Sequence, residues 1–199
     1  MSGGIFMRKT SFKRTTKETD IHMELDPDMA GSVNVATTVP FLDHLLTAMA
    51  FHGRFSLAIK ATGDTEVDPH HLVEDTGLVL GEILSRILEK NPNVSRFASA
   101  LIPMDEALAE VVIDICGRPT LVYNSLLPQE RVGDFDLSLI REFYIALSSR
   151  ARISLHINMR YGENSHHLVE AAFKALGKAI KQAYSLEENS IGISTKGII

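Results

Sequence analysis

The chain is poor in cysteine, in long apolar runs and in excess positive charge, and each shortage closes off a class of protein. A single cysteine, Cys116, rules out an intramolecular disulfide and any Cys-rich zinc module. It fits a reducing compartment, and the expected location is cytoplasmic. No stretch approaches the roughly 20 apolar residues needed to span a bilayer, and Met1 to Lys17 has no apolar run of the signal-peptide kind, so no membrane partner is expected. Lys+Arg number 20 against 25 Asp+Glu, a net charge of -5. That balance argues against nucleic acid or anionic lipid as the main partner. What remains is 199 residues, 45% of them hydrophobic, enough for one compact domain, or two small fused ones, burying roughly 70% of the unfolded surface.

The pentapeptide His-His-Leu-Val-Glu occupies positions 70 to 74 and again 166 to 170, an offset of 96. Matching surroundings precede each copy: a helical apolar pattern (Phe41 to Phe51; Leu137 to Ser149), an alternating stretch (Arg54 to Ala61; Arg152 to Met159) and a polar turn (Thr62 to Pro69; Arg160 to Ser165). Such self-similarity is the mark of an internal repeat. Thr19 to Leu25 and Ser32 to Val39 read as strands of the first half; Phe97 to Pro103, Glu106 to Ile115 and Thr120 to Asn124 read as strands of the second. Longer helices follow over roughly Pro69 to Lys90 and Asn164 to Tyr184. The expected architecture is an α+β fold, an α/β sandwich of two tandem βββαβα repeats about a pseudo-two-fold, with helices covering one face of each sheet. The repeats span about 8–93 and 94–190 of a single domain, joined near Asn91-Pro92-Asn93.

On a helix turning about 100° per residue, Glu74 lies roughly 40° around from His70 and roughly 60° from His71, so either imidazole can share its face. The two imidazoles diverge from each other by about 100°, which suits one ion for each rather than one for both. A lone doublet of this kind is an ordinary helix start. Two copies in equivalent places have no packing reason to keep both imidazoles and the carboxylate, so they point to a metal site. His44, in Phe41-Leu42-Asp43-His44, stands 26 residues before His70, and Glu142 stands 24 before His166; both are ligand-type residues. With imidazole and carboxylate but no thiolate, the donors suit Mn²⁺, Fe²⁺, Co²⁺, Ni²⁺ or Zn²⁺, and there are more of them than one tetrahedral ion needs.

These residues closely resemble the imidazoleglycerol-phosphate dehydratase family. The resemblance runs over nearly the whole chain, through Thr16-Lys17-Glu18-Thr19, Phe41-Leu42-Asp43-His44, His52-Gly53-Arg54-Phe55, Gly63-Asp64, His70-His71 to Glu74-Asp75, Pro103-Met104-Asp105-Glu106-Ala107, Gly117-Arg118-Pro119, His166-His167 to Glu170, Phe173-Lys174-Ala175 and Ser194-Thr195-Lys196-Gly197. It implies a hydro-lyase of histidine biosynthesis that removes water from D-erythro-imidazole glycerol phosphate to give imidazole acetol phosphate, using two Mn²⁺ ions per active site. It also implies a symmetric homo-oligomer of about 24 subunits with active sites at subunit interfaces. One ion would take His44, His71, Glu74 and His166, the other His70, His167, Glu170 and residue 142. There the chain departs from the His that family members often carry, and Glu142 is kept as an anionic oxygen ligand.

The reaction explains the demand for metal. A hydroxyl beside an imidazole leaves poorly; held as an imidazolate between two ions, the ring can expel it and form a diazafulvene whose side-chain proton is acidic. The resemblance places Glu18 beside the substrate as the carboxylate that shuttles protons, with His71 and Glu170 also catalytic. The remaining ligands, His44, His70, Glu74, His166 and His167, would surround the ring, with His52 near it. Arg96, Arg118, Lys174, Ser194 and Lys196 are the implied phosphate partners, and Ser194, Thr195 and Lys196 belong to a substrate-binding tail over 191–199. Two other readings stay open on the residues alone: a dinuclear metallohydrolase acting on a phosphorylated small molecule, and a metal-organised assembly protein without turnover.

Overall fold

The structure, a computed structural model, describes residues 8–187; Ser194, Thr195 and Lys196 lie outside the described residues. The first half runs β1 (Thr10–Thr15), β2 (Thr19–Asp26), β3 (Val33–Ala36), α1 (Pro40–Gly53), β4 (Ser56–Gly63) and α2 (His70–Lys90). The second runs β5 (Phe97–Met104), β6 (Ala107–Ile115), β7 (Thr120–Asn124), a small hairpin of β8 (Arg131–Val132) and β9 (Phe135–Asp136), then α3 (Leu139–Ala151), β10 (Ile153–Tyr161) and α4 (Ser165–Ala183). Each half forms a four-stranded sheet, ordered β1-β2-β4-β3 and β5-β6-β10-β7. In both, the last strand pairs antiparallel with the second and parallel with the third. The α+β tandem repeat is therefore observed.

Two elements fall outside the stretches that patterning had marked. The strand β1 reads Thr-Ser-Phe-Lys-Arg-Thr, with only Phe12 apolar; as an edge strand it needs no second apolar residue, and its charges suit an unpaired edge. The β8–β9 hairpin has arms too short to alternate, and its turn is signalled only by Gly133, at φ 57°, followed by Asp134.

Alternation explains the inner faces of the sheets: Ile21, Met23 and Leu25 of β2 and Ile153, Leu155 and Ile157 of β10 are buried, while the residues between them face out. Helices close under local signals. Pro40 opens α1, and Asp43 in its first turn accepts from the Thr37 backbone N–H at 2.7 Å and the Thr37 hydroxyl at 2.6 Å. Asp43 thus secures the helix start rather than buttressing His44. Both α1 and α3 end on an arginine in the left-handed region, Arg54 and Arg152, each at φ 55°. These are 98 positions apart, the same spacing as His44 to Glu142.

The two halves share one hydrophobic cluster, built where α1 packs on α4 and α2 packs on α3. Close approach there depends on glycine. A Cβ at Gly177 would lie 2.0 Å from the Met49 carbonyl oxygen, and a Cβ at Gly81 would lie 2.8 Å from that of Leu147. Gly81 and Gly177 are 96 positions apart and Met49 and Leu147 are 98, so one crossing is made twice. Glu82 reinforces the α2–α3 contact, accepting from Arg86 at 2.6 Å and pairing with Arg150 at 2.7 Å. Burial pushes its carboxyl up, but the two arginines outweigh burial and hold it below the usual value.

Gly177→Ala is expected to destabilise the fold by about 1–3 kcal/mol through backbone overlap, against the stabilisation of up to about 1 kcal/mol that alanine brings to an open helix; urea unfolding measures the sign. Glu82→Gln should cost about 1 kcal/mol at pH 7. A carboxyl held down in the fold stabilises above its unfolded value of 4.5, and this is lost as pH falls through the lower folded value. Wild type and Glu82→Gln should therefore converge in stability in acid.

Candidate metal and active site

The α1–α4 crossing brings together residues far apart in sequence. His44, on the first turns of α1, places Nε2 3.0 Å from Oε2 of Glu170 on α4, and His166, one turn before Glu170, places its own Nε2 3.1 Å from the same oxygen. Ligand-type atoms of these three lie within 4.8 Å of one another, the one such grouping of three among the described residues. The helix start supports it: the Asn164 side chain accepts from the His166 backbone N–H at 2.9 Å. Phe41 forms an apolar wall, its ring centroid 5.2 Å from that of His166 and 6.2 Å from that of His44.

Glu170 is buried yet ionised. Burial pushes its carboxyl up, but Lys174, 2.9 Å from Oε1, and the hydrogen bond from His44 outweigh that and hold it at about 2. A carboxylate oxygen facing two imidazole nitrogens, with its charge already supported by a lysine on the other oxygen, is a donor set that a divalent cation fits.

The second histidine of each doublet is braced differently. Nδ1 of His71 lies 3.0 Å from Oδ2 of Asp64, with Oε2 of Glu18 at 3.9 Å. Nδ1 of His167 lies 2.8 Å from Oε2 of Glu106. The Asp64 and Glu106 hydrogen bonds raise the two imidazoles, and the bond from His167 holds the Glu106 carboxyl at about 2. With Nδ1 committed, Nε2 is the atom each ring offers to a cation, the arrangement metal-binding histidines use.

The counterpart of the His44–His166–Glu170 grouping under the repeat is Glu142 on α3 with His70 and Glu74 on α2. Nε2 of His70 lies 3.5 Å from Oε2 of Glu74, and Oε1 of Glu142 lies 3.6 Å from Nη1 of Arg141. Of the first expected ion set, His44 and His166 meet within the chain and His71 and Glu74 lie on α2; of the second, His167 and Glu170 share α4 while His70 and Glu142 lie on α2 and α3. Neither set of four is completed by one chain among the described residues.

The phosphate candidates separate. Lys174 stands beside Glu170, and His52, in the last turn of α1, is close enough to Lys174 and Lys178 that, after burial, their charges lower its imidazole. Arg96 donates Nε–H to Asp114 at 2.7 Å and stacks over Phe97, and Arg118 turns back to the Cys116 carbonyl at 3.3 Å. Phe41 and the bracing roles of Asp64 and Glu106 were not assigned from sequence. For the carboxylates a signal existed: each lies in a Gly-Asp or Asp-Glu turn at a strand end, and a metal-binding imidazole wants an acidic partner on its other nitrogen.

Comparison with known proteins agrees. The family model described as imidazoleglycerol-phosphate dehydratase matches residues 37–180. An imidazoleglycerol-phosphate dehydratase of Syntrophus aciditrophicus is 47% identical over 197 residues, covering 98% of this chain and 100% of that protein. One of Geobacter sulfurreducens is 46% identical, covering 96% and 98%. Among solved structures, the enzyme of that name from Staphylococcus aureus matches with a TM-score of 0.81 and 38% identity over 90% of this chain and 99% of its own. The structure described as IGPD from Pyrococcus furiosus in complex with (S)-C348 matches with a TM-score of 0.82 and 40% identity over 94% and 100%.

Removing the lysine that supports the buried carboxylate tests these electrostatics. In Lys174→Met, the Glu170 carboxyl should titrate well above about 2, because burial is left less opposed; carboxyl ¹³C NMR against pH reads the shift.

Proposed function

The chain belongs to the imidazoleglycerol-phosphate dehydratase family and is a hydro-lyase of histidine biosynthesis; from that premise we propose that it converts imidazole glycerol phosphate to imidazole acetol phosphate at a site holding two Mn²⁺ ions. The observation that carries the reading is the convergence of His44, His166 and Glu170 across the α1–α4 crossing. Their donors, with those of His70, His71, Glu74, Glu142 and His167, are all imidazole nitrogens or carboxylate oxygens, which suits a six-coordinate ion with positions left for substrate. When bound, the ions supply Lewis acidity that favours the substrate's ring as its anion.

The chain's own residues have separable tasks. Asp64 and Glu106 hold the imidazoles of His71 and His167 by Nδ1. Lys174, with His52 nearby, offers positive charge to the phosphate, and Phe41 walls one side of the imidazoles of His44 and His166. Overall, hydroxide leaves the carbon beside the ring and a proton leaves the next carbon; the resulting enol takes a proton back on the first carbon to become the ketone. Glu18, half exposed in the turn before β2, carries these protons. Because each chain splits the donors between the α1–α4 and α2–α3 pairs, we further propose that the complete site forms between subunits of a large homo-oligomer, about 24 copies in a closed symmetry.

Incubating the protein with Mn²⁺ and imidazole glycerol phosphate should yield an enolisable ketone without inorganic phosphate; phosphate release without ketone would overturn the proposal in favour of hydrolysis. Glu18→Gln should lower kcat by about 10²–10⁴-fold with metal content unchanged. For the ligands, His166→Ala and Glu142→Ala should each lose Mn²⁺ in elemental analysis of stripped and reloaded protein, while Glu142→His should keep it. Full occupancy in Glu142→Ala would remove that residue from the site.

A further inference from the structure

The two braced imidazoles, His71 and His167, are equivalent in the repeat, but their carboxylate partners are not. On β2, His22 pairs with Lys60 of β4; on β6, Glu110 pairs with Asn158 of β10. Lys60 and Asn158 hold the same place after the left-handed arginines that end α1 and α3, so His22 matches Glu110. Four residues earlier in each half, in the turn just before β2 and β6, Glu18 matches Glu106. The proper counterpart of Glu106 is therefore Glu18, yet Glu18 keeps its Oε2 3.9 Å from Nδ1 of His71 and its side chain is 55% exposed.

Asp64 has taken the position instead. It follows Gly63, which abuts Leu72 and Thr19; Gly162 abuts Leu168 and Ala107 in the same manner, so Asp64 matches Glu163. The exposed Glu163 does not reach His167 among the described residues; its backbone N–H donates to Oε1 of Glu106 at 3.1 Å. The backbone N–H of Asp64 donates to the Glu18 carbonyl at 3.1 Å. The same two turn positions are thus joined through a backbone N–H in both halves, and the halves use opposite members of the pair to hold the imidazole.

We infer that Asp64 is a positioning residue that, by holding Nδ1 of His71, both presents Nε2 of that ring to a cation and releases Glu18 from the bracing role its counterpart Glu106 performs. The inference rests on the proposed function, in which Glu18 carries protons. A carboxylate tied to an imidazole N–H is a poor proton carrier, and one held 3.9 Å away remains open to substrate. Duplication provided two bracing carboxylates, and in the first half a neighbour's takeover set one free.

The test removes Asp64 and asks whether Glu18 falls back onto His71. In metal-free Asp64→Ala, ¹⁵N NMR of the His71 ring should still show the Nδ1–H tautomer, now held by Glu18; it should be lost in Asp64→Ala/Glu18→Ala and intact in Glu18→Ala alone. Mn²⁺ affinity should fall less than about tenfold in Asp64→Ala and a further 10–100-fold in the double variant. With Glu18 diverted, kcat of Asp64→Ala should drop about 10²-fold at little change in KM, and Asp64→Asn, which still accepts from Nδ1–H, should recover most of it. An unchanged kcat in Asp64→Ala, loss of the tautomer in that variant, or a tautomer change in Glu18→Ala alone would each overturn the inference. If wild type itself shows no dehydration, the proposed function fails, and the metal-free tautomer still decides whether Asp64 or Glu18 holds His71.

Discussion

Contact of helix backbone with helix backbone at two glycines is the constraint on which the molecule turns. At Gly177 the α4 backbone lies so near the Met49 carbonyl that no side chain fits between, and Gly81 repeats the approach against Leu147. A wider crossing would still bury apolar side chains, so the core alone does not demand it. The site does. His44 and Glu170 are 126 residues apart, and their 3.0 Å contact is set by how deeply α1 sits on α4. Packing in the middle of the helices fixes the distance between donors at one end of them, because a helix transmits position along its length with little give.

Charge is arranged around that geometry before any cation is considered. A buried carboxylate is costly unless supported, and Glu170 is supported from both sides, by Lys174 on one oxygen and by two imidazoles on the other. Glu106 and Asp64 commit the imidazoles of His167 and His71 through Nδ1. His71 and His167 are held by contacts that do not use Nε2, whereas in the His44–His166–Glu170 grouping the donors hold one another. There the bonds among the donors would have to give way to a cation, and the Nε2 protons would leave with its arrival.

Much of this was legible in the residues. The exact His-His-Leu-Val-Glu repeat, with matched context, was enough to read two βββαβα units, and alternation located most of the strands. The resemblance of ordered motifs pointed to the family. What escaped did so for physical reasons. The β1 strand lies at an edge, where packing does not impose an apolar face, and β8–β9 is shorter than one period of alternation. Arg96, named for phosphate, is tied to Asp114 on β6, a partner across strands that spacing along the chain does not reveal. Asp43 sits beside His44 in sequence, and only its contacts with Thr37 show that it secures the helix start.

Duplication explains why the imidazole and carboxylate groups of the proposed site come in pairs, and divergence explains how such a site could act as well as bind. Two identical halves would hold symmetric cations and treat both faces of a bound ring alike, whereas a dehydration is directional: one carbon loses hydroxide and its neighbour loses a proton. An asymmetric base must therefore be introduced without loss of ligands. The second half keeps its turn glutamate, Glu106, on the imidazole, while the first keeps an aspartate from the neighbouring strand end there and leaves its turn glutamate, Glu18, exposed beside it. At the helix position equivalent to His44 the second half carries Glu142, a second asymmetry that sets a carboxylate against an imidazole. The scaffold remains two-fold because the glycine crossings require it; the chemistry departs from two-fold only in side chains that those crossings leave unconstrained.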